Sequence, residues 1–273
     1  QMIRDFFLNK KVLLEAYSQN PEFIESVEVL LRDYKENGIS SNSYKQNEKN
    51  LNEKLNFAKK DFLGISLISN SLSKGDVVFS SNIGADLGTN LLNGPYKDSE
   101  LAKGFDQVKT LMYSNITDFS YYPPLKRFVS FVMVPVYKNG LLLATLAGIV
   151  ENSQLTPILN DYTGLKKTGE TIVWTKLKGK IVSAAPTRFD PNAMNNLSVQ
   201  IGTSIASSGQ KAAMGIKGRG IYKDYRNVPV ISVWRYLPWP DWGSRAACRR
   251  WPGRRQGAWR RIGRARHRPH RAR

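Results

Sequence analysis

The sequence predicts an α+β protein in which a helical N-terminal region precedes two similar units, each built from antiparallel strands and helices. Three observations carry this prediction. Apolar residues recur at helical spacing over residues 1–62. From Phe62 onward the pattern changes to short apolar runs separated by turns, and the same order of strands, turns and helices begins again at Thr171. Helical spacing and short apolar runs bounded by turn residues are the main sequence signals for helices and strands.

The N-terminal region is predicted to contain helices that need a packing partner. Asn20-Pro21 predicts a helix restart, because Asn is a favoured N-cap and Pro is favoured at the first helical position. An apolar face continues over residues 23–34, residues 38–43 interrupt it, and the helical pattern resumes over residues 47–61. Helices with this balance of polar and apolar residues bury one face against another helix or a sheet.

The apolar stretch FVSFVMVPVYKNGLLLATLAGIV, residues 128–150, is predicted to form a β-hairpin and not a membrane-spanning helix. A spanning helix needs about 20 uninterrupted apolar residues, whereas Lys138-Asn139-Gly140 lies near the centre of this stretch. Asn-Gly between apolar runs is the strongest short hairpin signal, since both residues tolerate the positive φ of a type I′ turn. Pro135 cannot donate a ladder hydrogen bond and predicts a bulge or an edge.

The two units are predicted at residues 63–155 and 156–243, with the boundary near residues 156–166. In the first, GISLIS and VVFSS are strand candidates, and a helix capped by Asp98 or Ser99 precedes the hairpin. A short helix starting at Thr156 follows. In the second unit the strand candidates are TIVW, GKIVSAA, GIYKDY and VPVISVWRY.

The net charge of +19 comes mainly from the end of the chain. Residues 244–273 contain twelve Arg, no Lys and no acidic residue, so residues 1–243 carry only +7. Two explanations stay open. The segment is either a basic arm that binds nucleic acid by releasing counterions from phosphates, or an out-of-frame, disordered segment that is not native protein. The second is favoured, because natural basic arms usually mix Lys with Arg.

The residues absent from the body of the chain exclude several kinds of chemistry. Residues 1–243 contain no Cys and no His. Disulfides, thiolate nucleophiles and His- or Cys-based zinc sites are therefore excluded there, as is a Ser-His-Asp constellation. The spacing of Gly215, Gly218 and Gly220 is similar to that of a phosphate-binding loop. Such a loop connects a strand to a helix, and these glycines lack that context, so a turn is predicted there. We expect no metal, no cofactor and no enzymatic activity.

Six segments, in this order, resemble the double Cache (dCache) family, the extracytoplasmic sensor modules of bacterial histidine kinases, chemoreceptors and cyclic-di-nucleotide enzymes. They are the N-terminal helical segment with its Asn20-Pro21 restart, GISLIS…GDVVFSS, DLGTNLLNGPYKDSELAKGF, MVPVYKNGLLLATLAGIV, GLKKTGETIVW and YKDYRNVPVISVWRYLPWPDWG. Together they cover essentially residues 1–243. The family continues beyond this point as a strand that leads to a second transmembrane helix, whereas this sequence leaves the pattern at Ser244. The resemblance therefore implies that the last strand is missing and that a neighbouring strand is left as an exposed edge.

The resemblance implies two PAS-like (Cache) modules, each with a central antiparallel sheet flanked by helices, stacked along one long N-terminal helix. It implies a non-catalytic, periplasmic sensor domain of an inner-membrane receptor that binds a small molecule in the membrane-distal module, residues 63–155. Ligand binding is then expected to shift a two-state equilibrium that the terminal helices carry through the membrane. A weak homodimer along the N-terminal helix is also implied.

The resemblance places the ligand between the sheet of the first module and the loop and helix that precede the hairpin. In this sequence that region holds eight candidate ligand-binding residues: Tyr96, Asp98, Tyr113, Asp118, Tyr121, Tyr122, Arg127 and Ser130. An Arg fork beside Tyr hydroxyls suits a small polar or carboxylate-bearing ligand, and the same residues also fit a purely structural network. Amino-acid-sensing members carry Arg-x-Trp-aromatic before the hairpin and a carboxylate at its end. Neither is matched in QVKTLMYSNITD or AGIVEN, so an α-amino acid is disfavoured.

Overall fold

The computed structural model describes residues 2–82, 84–238 and 241–250. These residues form an α+β fold in which N-terminal helices precede two six-stranded sheets. Every strand pair in both sheets is antiparallel. The predicted fold class is confirmed. Within the described part of the chain, no helix combines the length and the apolar character needed to cross a membrane.

The N-terminal region contains three helices: α1 (Met2–Ser18), α2 (Pro21–Asn37) and α3 (Asn42–Lys54). The predicted restart is confirmed, because the Phe23 N–H donates a 3.1 Å hydrogen bond to Asn20 Oδ1 and Pro21 opens α2. Gly38 ends α2 at a φ of 72°, in a conformation that favours glycine. The region is thus three successive helices and not the one long helix that the resemblance implies.

The first sheet contains the apolar hairpin and the short strands that precede it. Its strands are β1 (Gly64–Ser69), β2 (Val77–Ser80), β3 (Asn115–Ile116), β4 (Ser120–Tyr122), β5 (Arg127–Lys138) and β6 (Leu141–Glu151). The order is β2-β1-β6-β5-β3, and β4 also pairs with β5. Helix α4 (Glu100–Leu111) covers one face and begins at Ser99, whose Oγ accepts a 3.2 Å hydrogen bond from the Ala102 N–H. Of the two predicted caps, Ser99 is the one observed.

The predicted hairpin is confirmed between β5 and β6. Asn139 and Gly140 connect the strands with φ values of 51° and 79°, as a type I′ turn requires. Pro135 lies opposite Thr145, and the register shifts one residue later, between Val136 and Tyr137. The irregularity predicted from Pro135 is therefore present within one residue of it.

The two faces of the first sheet bury different side chains, because successive residues of a strand point to opposite faces. One face lies against the N-terminal helices and includes Leu67, Val132, Val134 and Leu146. The other face lies against α4 and includes Ile68, Phe131, Met133 and Ile149. A sheet buried on both faces gives apolar runs without polar alternation, as in the sequence of β5.

The second sheet is accompanied by three short helices, one before its first strand and two between its strands. Its strands are β7 (Glu170–Leu177), β8 (Lys180–Ser183), β9 (Ser198–Gln200), β10 (Gly218–Lys223), β11 (Pro229–Pro238) and β12 (Asp241–Arg250). The helices are α5 (Thr156–Leu159), α6 (Ala193–Asn196) and α7 (Ser207–Ala213). The strand order is β10-β11-β12-β7-β8-β9. Gly209 brings α7 close to this sheet, since a Cβ there would lie 2.6 Å from Nε1 of the buried Trp174.

The presence of β12 differs from the sequence expectation. That strand was expected to be missing after Gly243, but in the structure it continues to Arg250 and lies between β11 and β7. Its Ser244 pairs with Val173, and its Ala247 pairs with Glu170. Backbone N–H and C=O groups can form a ladder whatever the side chains are, so an Arg-rich composition did not reveal the strand. Residues 251–273, the rest of the Arg-rich segment, lie outside the described residues.

One hydrophobic core crosses the boundary between the two modules. It contains Phe7 and Leu14 of α1, and it extends to residues of α5, β7 and the segment after β8: Leu159, Val173, Ala184 and Ala185. Leu155, the last residue of the predicted first module, belongs to the same core and is fully buried. The two sheets are therefore joined by continuous apolar packing.

Candidate functional site

The face of the first sheet beneath α4 combines apolar side chains with buried polar ones. The polar side chains are Ser66, Asp86, Tyr122 and Thr145, none of which is more than 2% exposed. Asn70 extends this group, because its Oδ1 accepts a 2.8 Å hydrogen bond from Thr145 Oγ1. We call Ser66, Asn70, Asp86, Tyr96, Tyr122 and Thr145 the distal site. They share this side of the sheet, where Asp86, Tyr122 and Tyr96 form one contact group and Asn70 and Thr145 form another. Burying polar groups is costly unless each finds a partner, so such a group marks a candidate binding site.

Tyr122 and Asp86 form the central contact of the distal site. The Tyr122 hydroxyl donates a 2.7 Å hydrogen bond to Asp86 Oδ2. Burial, followed by the nearby Asp86 charge, raises the pKa of Tyr122 far above its usual value, so the phenol stays protonated. The Tyr122 ring packs edge-on against Phe131, with the ring centres 5.1 Å apart, and at 6.1 Å from Tyr96. These contacts fix the direction in which the hydroxyl points.

The loop after β2 positions Asp86 by its own hydrogen bonds. The Asp86 carbonyl accepts hydrogen bonds from the Thr89 N–H at 3.0 Å and from Thr89 Oγ1 at 2.7 Å. Gly84 must lack a side chain, because a Cβ there would overlap Asp86 Oδ1. Among the residues that the structure describes, Asp86 Oδ1 has no hydrogen-bond partner. One buried carboxylate oxygen is thus available as an acceptor.

The β1 strand contributes further polar groups to the same face. Ser66 lies opposite Ala147, and Ile68 lies opposite Thr145, in the β1–β6 register. Ser66 Oγ and Asn70 Nδ2 are buried atoms without a hydrogen-bond partner in the described ranges. The face therefore offers a hydroxyl and an amide N–H₂ in addition to the Asp86 acceptor.

The outer side of α4 carries charged residues near its start. Lys103 Nζ donates a 2.7 Å hydrogen bond to Glu100 Oε1. This bond and the Glu100 charge raise the pKa of Lys103, with smaller contributions from Asp98 and Asp118. The two aspartates therefore lie within electrostatic reach of Lys103, in a group whose acidic residues outnumber its one cation.

The structure brings some of the eight predicted site residues together. Tyr122 and Tyr96 lie in the distal site. Asp98 and Asp118 lie near Lys103 at the start of α4. These four residues thus fall into two groups, one at Tyr122 and one at Lys103.

The other four predicted residues lie elsewhere. Tyr121 is 51% exposed and packs against Phe128, because neighbouring residues in β4 point to opposite sides and only Tyr122 points inward. Arg127 is 54% exposed and forms a 2.7 Å ion pair with Glu151. Ser130 is on the face of β5 that lies against the N-terminal helices, where its Oγ donates a 2.7 Å hydrogen bond to the Thr117 carbonyl.

Tyr113, the last of the eight, lines a separate cleft beyond the end of α4. The sequence reasoning in turn missed Ser66, Asn70, Asp86 and Thr145. Alternation along GISLISN could have placed Ser66 and Asn70 on one face with Ile68. No periodic signal marked Asp86, which lies in a Gly-rich loop.

The described residues hold no cluster of three or more His, Cys, Asp or Glu side chains that could bind a metal ion. The distal site offers hydrogen-bonding groups and one carboxylate, that of Asp86.

Solved structures with the same fold include three sensor or ligand-binding domains. The ligand-binding domain of Mlp24, solved with asparagine, matches with a TM-score of 0.54 and 19% identity, over 90% of this chain and 85% of that one. The extracellular domain of mmHK1S-Z2 matches with a TM-score of 0.53 and 15% identity, over 89% and 93%. The sensor domain of the V. cholerae histidine kinase DctB matches with a TM-score of 0.52 and 15% identity, over 89% and 93%.

These similarities define the class of fold: the chain shares the α+β architecture of these ligand-binding and sensor domains, which is the fold that the resemblance in the sequence implies. No protein-family model matches the sequence, and the search of curated proteins finds no match. At these identities the similarity establishes the fold and does not extend to the ligand.

Proposed function

We propose that the chain is the extracytoplasmic sensor domain of a transmembrane signalling receptor and that it binds a small polar molecule at the distal site. The observation that carries the proposal is the buried Asp86 carboxylate, with one oxygen held by Tyr122 and the other without a partner among the described residues. The fold supports the same function, since the domains that share it include ligand-binding and sensor domains. A binding role requires no catalytic group.

The ligand chemistry follows from the groups that face it. Asp86 and the Ser66 hydroxyl can accept hydrogen bonds and the Asn70 amide can donate one, whereas Arg127, the candidate carboxylate partner, pairs with Glu151 at the surface. A ligand with amine, amide or hydroxyl donors therefore fits better than one whose main feature is a carboxylate.

The signalling step would start with the loop and helix that cover the distal site. Residues 84–99 include Asp86 and Tyr96, and α4 closes the same face. A ligand that binds one arrangement of this cover better than another shifts the population between the two. The core shared by the two modules would transmit the shift, and a membrane anchor outside this chain would carry it onward. Met2, Leu8 and Val12 are exposed on α1, where a weak homodimer could form.

The experiment is thermal unfolding of the full chain against amines, amides, amino acids, sugars and organic acids. A ligand at about 100 times its dissociation constant should stabilise the fold by roughly 2.7 kcal/mol. Asp86→Asn should abolish the shift for the ligand class that binds, since it removes the charge at nearly constant volume. Asp106→Asn is the matched control, because Asp106 is exposed on α4 and pairs with Lys109. A shift that survives Asp86→Asn, or no shift with any class, would contradict the proposal.

A further inference from the structure

A cleft of about 440 Å³ lies at the edge of the first sheet and shares no residue with the distal site. Its walls come from α1, from the segment after α4 and from the end of β5. We call this region the edge cleft. Its lining includes Lys11, Glu15, Met112, Tyr113, Pro135 and Tyr137. Its volume lies within the range of about 300–1,000 Å³ typical of small-molecule sites.

The edge cleft exists because β5 is longer than the strands beside it. β4 pairs with residues 127–129, and β3 pairs with residues 132–133. Beyond that point, within the described strands, β5 pairs only with β6. Pro135 lies in this open part and has no N–H to offer, which disfavours the addition of another strand. The exposed edge is therefore better suited to a small molecule than to a peptide strand.

Glu15 is held in place at the wall of the edge cleft. Its Oε1 accepts a 2.5 Å hydrogen bond from Ser114 Oγ and lies 3.3 Å from Lys11 Nζ. Ser114 is buried, so its hydroxyl is a fixed donor, whereas the Glu15 side chain is 34% exposed. The carboxylate is thus both oriented and accessible from the cleft.

Two helix ends add to the negative potential of the edge cleft. Helix α1 ends at Ser18 and α4 ends at Leu111, and residues at both ends line the cleft. Helix C-termini carry partial negative charge and favour cations. The start of α2 is also nearby, but the Phe23 N–H is already bonded to Asn20 Oδ1, which reduces its attraction for anions.

Two tyrosines complete the edge cleft. Tyr113 is 58% exposed, and Tyr137 is fixed by a 3.0 Å hydrogen bond from its hydroxyl to the Met112 carbonyl. Aromatic rings attract organic cations through their negative faces, and rings beside a carboxylate are a recurring arrangement for alkylammonium groups. Lys11 supplies the only competing cation among the lining residues that the structure describes.

We propose that the edge cleft binds a small organic cation of the alkylammonium class, with its charged group beside Glu15 and the rings of Tyr113 and Tyr137. The ligand takes the place of Lys11 at Glu15. That exchange is inexpensive, because an i,i+4 pair between partly exposed side chains contributes little. The proposal gives Tyr113 a role that does not depend on the distal site.

The test is titration of the full chain with choline chloride, followed by calorimetry and by the melting temperature. The neutral isostere 3,3-dimethylbutan-1-ol and an equal concentration of sodium chloride are the controls. Choline should bind, and Glu15→Gln should weaken it by about tenfold, the effect of losing one partly exposed charge contact. Tyr113→Leu should weaken binding, whereas Tyr113→Phe, which keeps the ring, should not. Lys11→Met should tighten binding, because it removes the competing cation.

The result that overturns the proposal is equal binding of choline and its neutral isostere, or choline affinity unchanged by both Glu15→Gln and Tyr113→Leu. Choline binding that is lost in Asp86→Asn and kept in Glu15→Gln would place the cation in the distal site and also overturn it. Tyr113 is exposed, so Tyr113→Leu keeps the test valid even if the Glu15 variant folds poorly.

Discussion

Gly148 of β6 lies directly against the ring of Phe62. A Cβ on residue 148 would overlap that ring and would lie 2.8 Å from Cδ1 of Leu14 in α1. The lack of a side chain at this position lets the first helix and the segment before β1 approach the same point of the sheet. Gly148 is thus required for space where α1 and the first sheet pack together.

Gly148→Ala should lower the free energy of unfolding by about 1–3 kcal/mol, the usual cost of overpacking a filled core. Urea unfolding of the full chain measures the loss. A second change, Phe62→Leu, should recover part of it by removing the ring that the new methyl group meets. A double variant less stable than expected from the two single variants would show that the ring contact is not the cause.

Lys10 of α1 is a buried cation at the same junction. It is 5% exposed, its Nζ lies 4.7 Å from the Phe6 ring centre and 5.0 Å from that of Phe62, and Asp61 Oδ1 is 3.9 Å away. Burial lowers the pKa of Lys10, against the opposing effect of the Asp61 charge. The protonated form is therefore disfavoured in the folded state.

Lys10→Met should stabilise the fold by about 1 kcal/mol at pH 7, because an apolar side chain of similar shape avoids the desolvation of a charge.

The effect should depend on pH. Because the pKa of Lys10 is lower in the folded chain than in the unfolded chain, the unfolded chain binds the proton more tightly. The free energy of unfolding of the unmutated protein should therefore rise as the pH rises from the lowered pKa to 10.5. The advantage of Met should shrink over that interval. Urea unfolding at pH 7 and pH 10 measures it, with exposed Lys35→Met as control. Destabilisation by Lys10→Met at both pH values would show that the aromatic and Asp61 contacts outweigh burial.

Tyr122→Phe should cost about 1–3 kcal/mol, since it leaves Asp86 buried without its hydroxyl donor. Asp86→Asn with Tyr122→Phe should cost less than the sum of the two changes, because the charge that needs the hydroxyl is then gone. A double-mutant cycle by denaturant unfolding measures this coupling. Additive effects would mean that the 2.7 Å hydrogen bond contributes no coupling between the two side chains.

Ending the chain at Gly243 should expose β7 to solvent exchange. The truncation removes the pairs from Ser244 opposite Val173 to Ala247 opposite Glu170. Hydrogen exchange should show β7 and β11 losing protection while β1 and β6 keep theirs. A chain that ends at Arg250 is the matched control and should behave like the full chain. Unchanged protection of β7 after truncation at Gly243 would show that β12 does not support the second sheet.

The elements that local chemistry specifies could be predicted from the sequence. The restart at Asn20-Pro21 and the turn at Asn139-Gly140 depend on the cap and the positive φ of those residues alone. Strand β12 could not be predicted in the same way, because its place between β11 and β7 depends on distant pairing partners.

The candidate site was harder to predict than the fold for a related reason. Ser130 lies between Val129 and Phe131, and all three are buried, so the sequence gives no indication of which face Ser130 joins. Asp86 belongs to a loop without periodicity, and only the folded chain brings it to Tyr122. Arg127 has its opposite charge, Glu151, on the neighbouring strand, which a linear reading does not reveal.

The core that runs from Phe7 through Leu155 to Val173 limits how domains of this fold can be recombined. A chimaera joined at residue 156 would set one protein's α1 against another protein's α5 and β7, and the two halves of that core would have evolved separately. Exchanging the second module together with the residues of the first that belong to this core would keep the packing intact. Exchanges between domains of this fold should therefore be designed around the three-dimensional boundary and not around the break between modules in the chain.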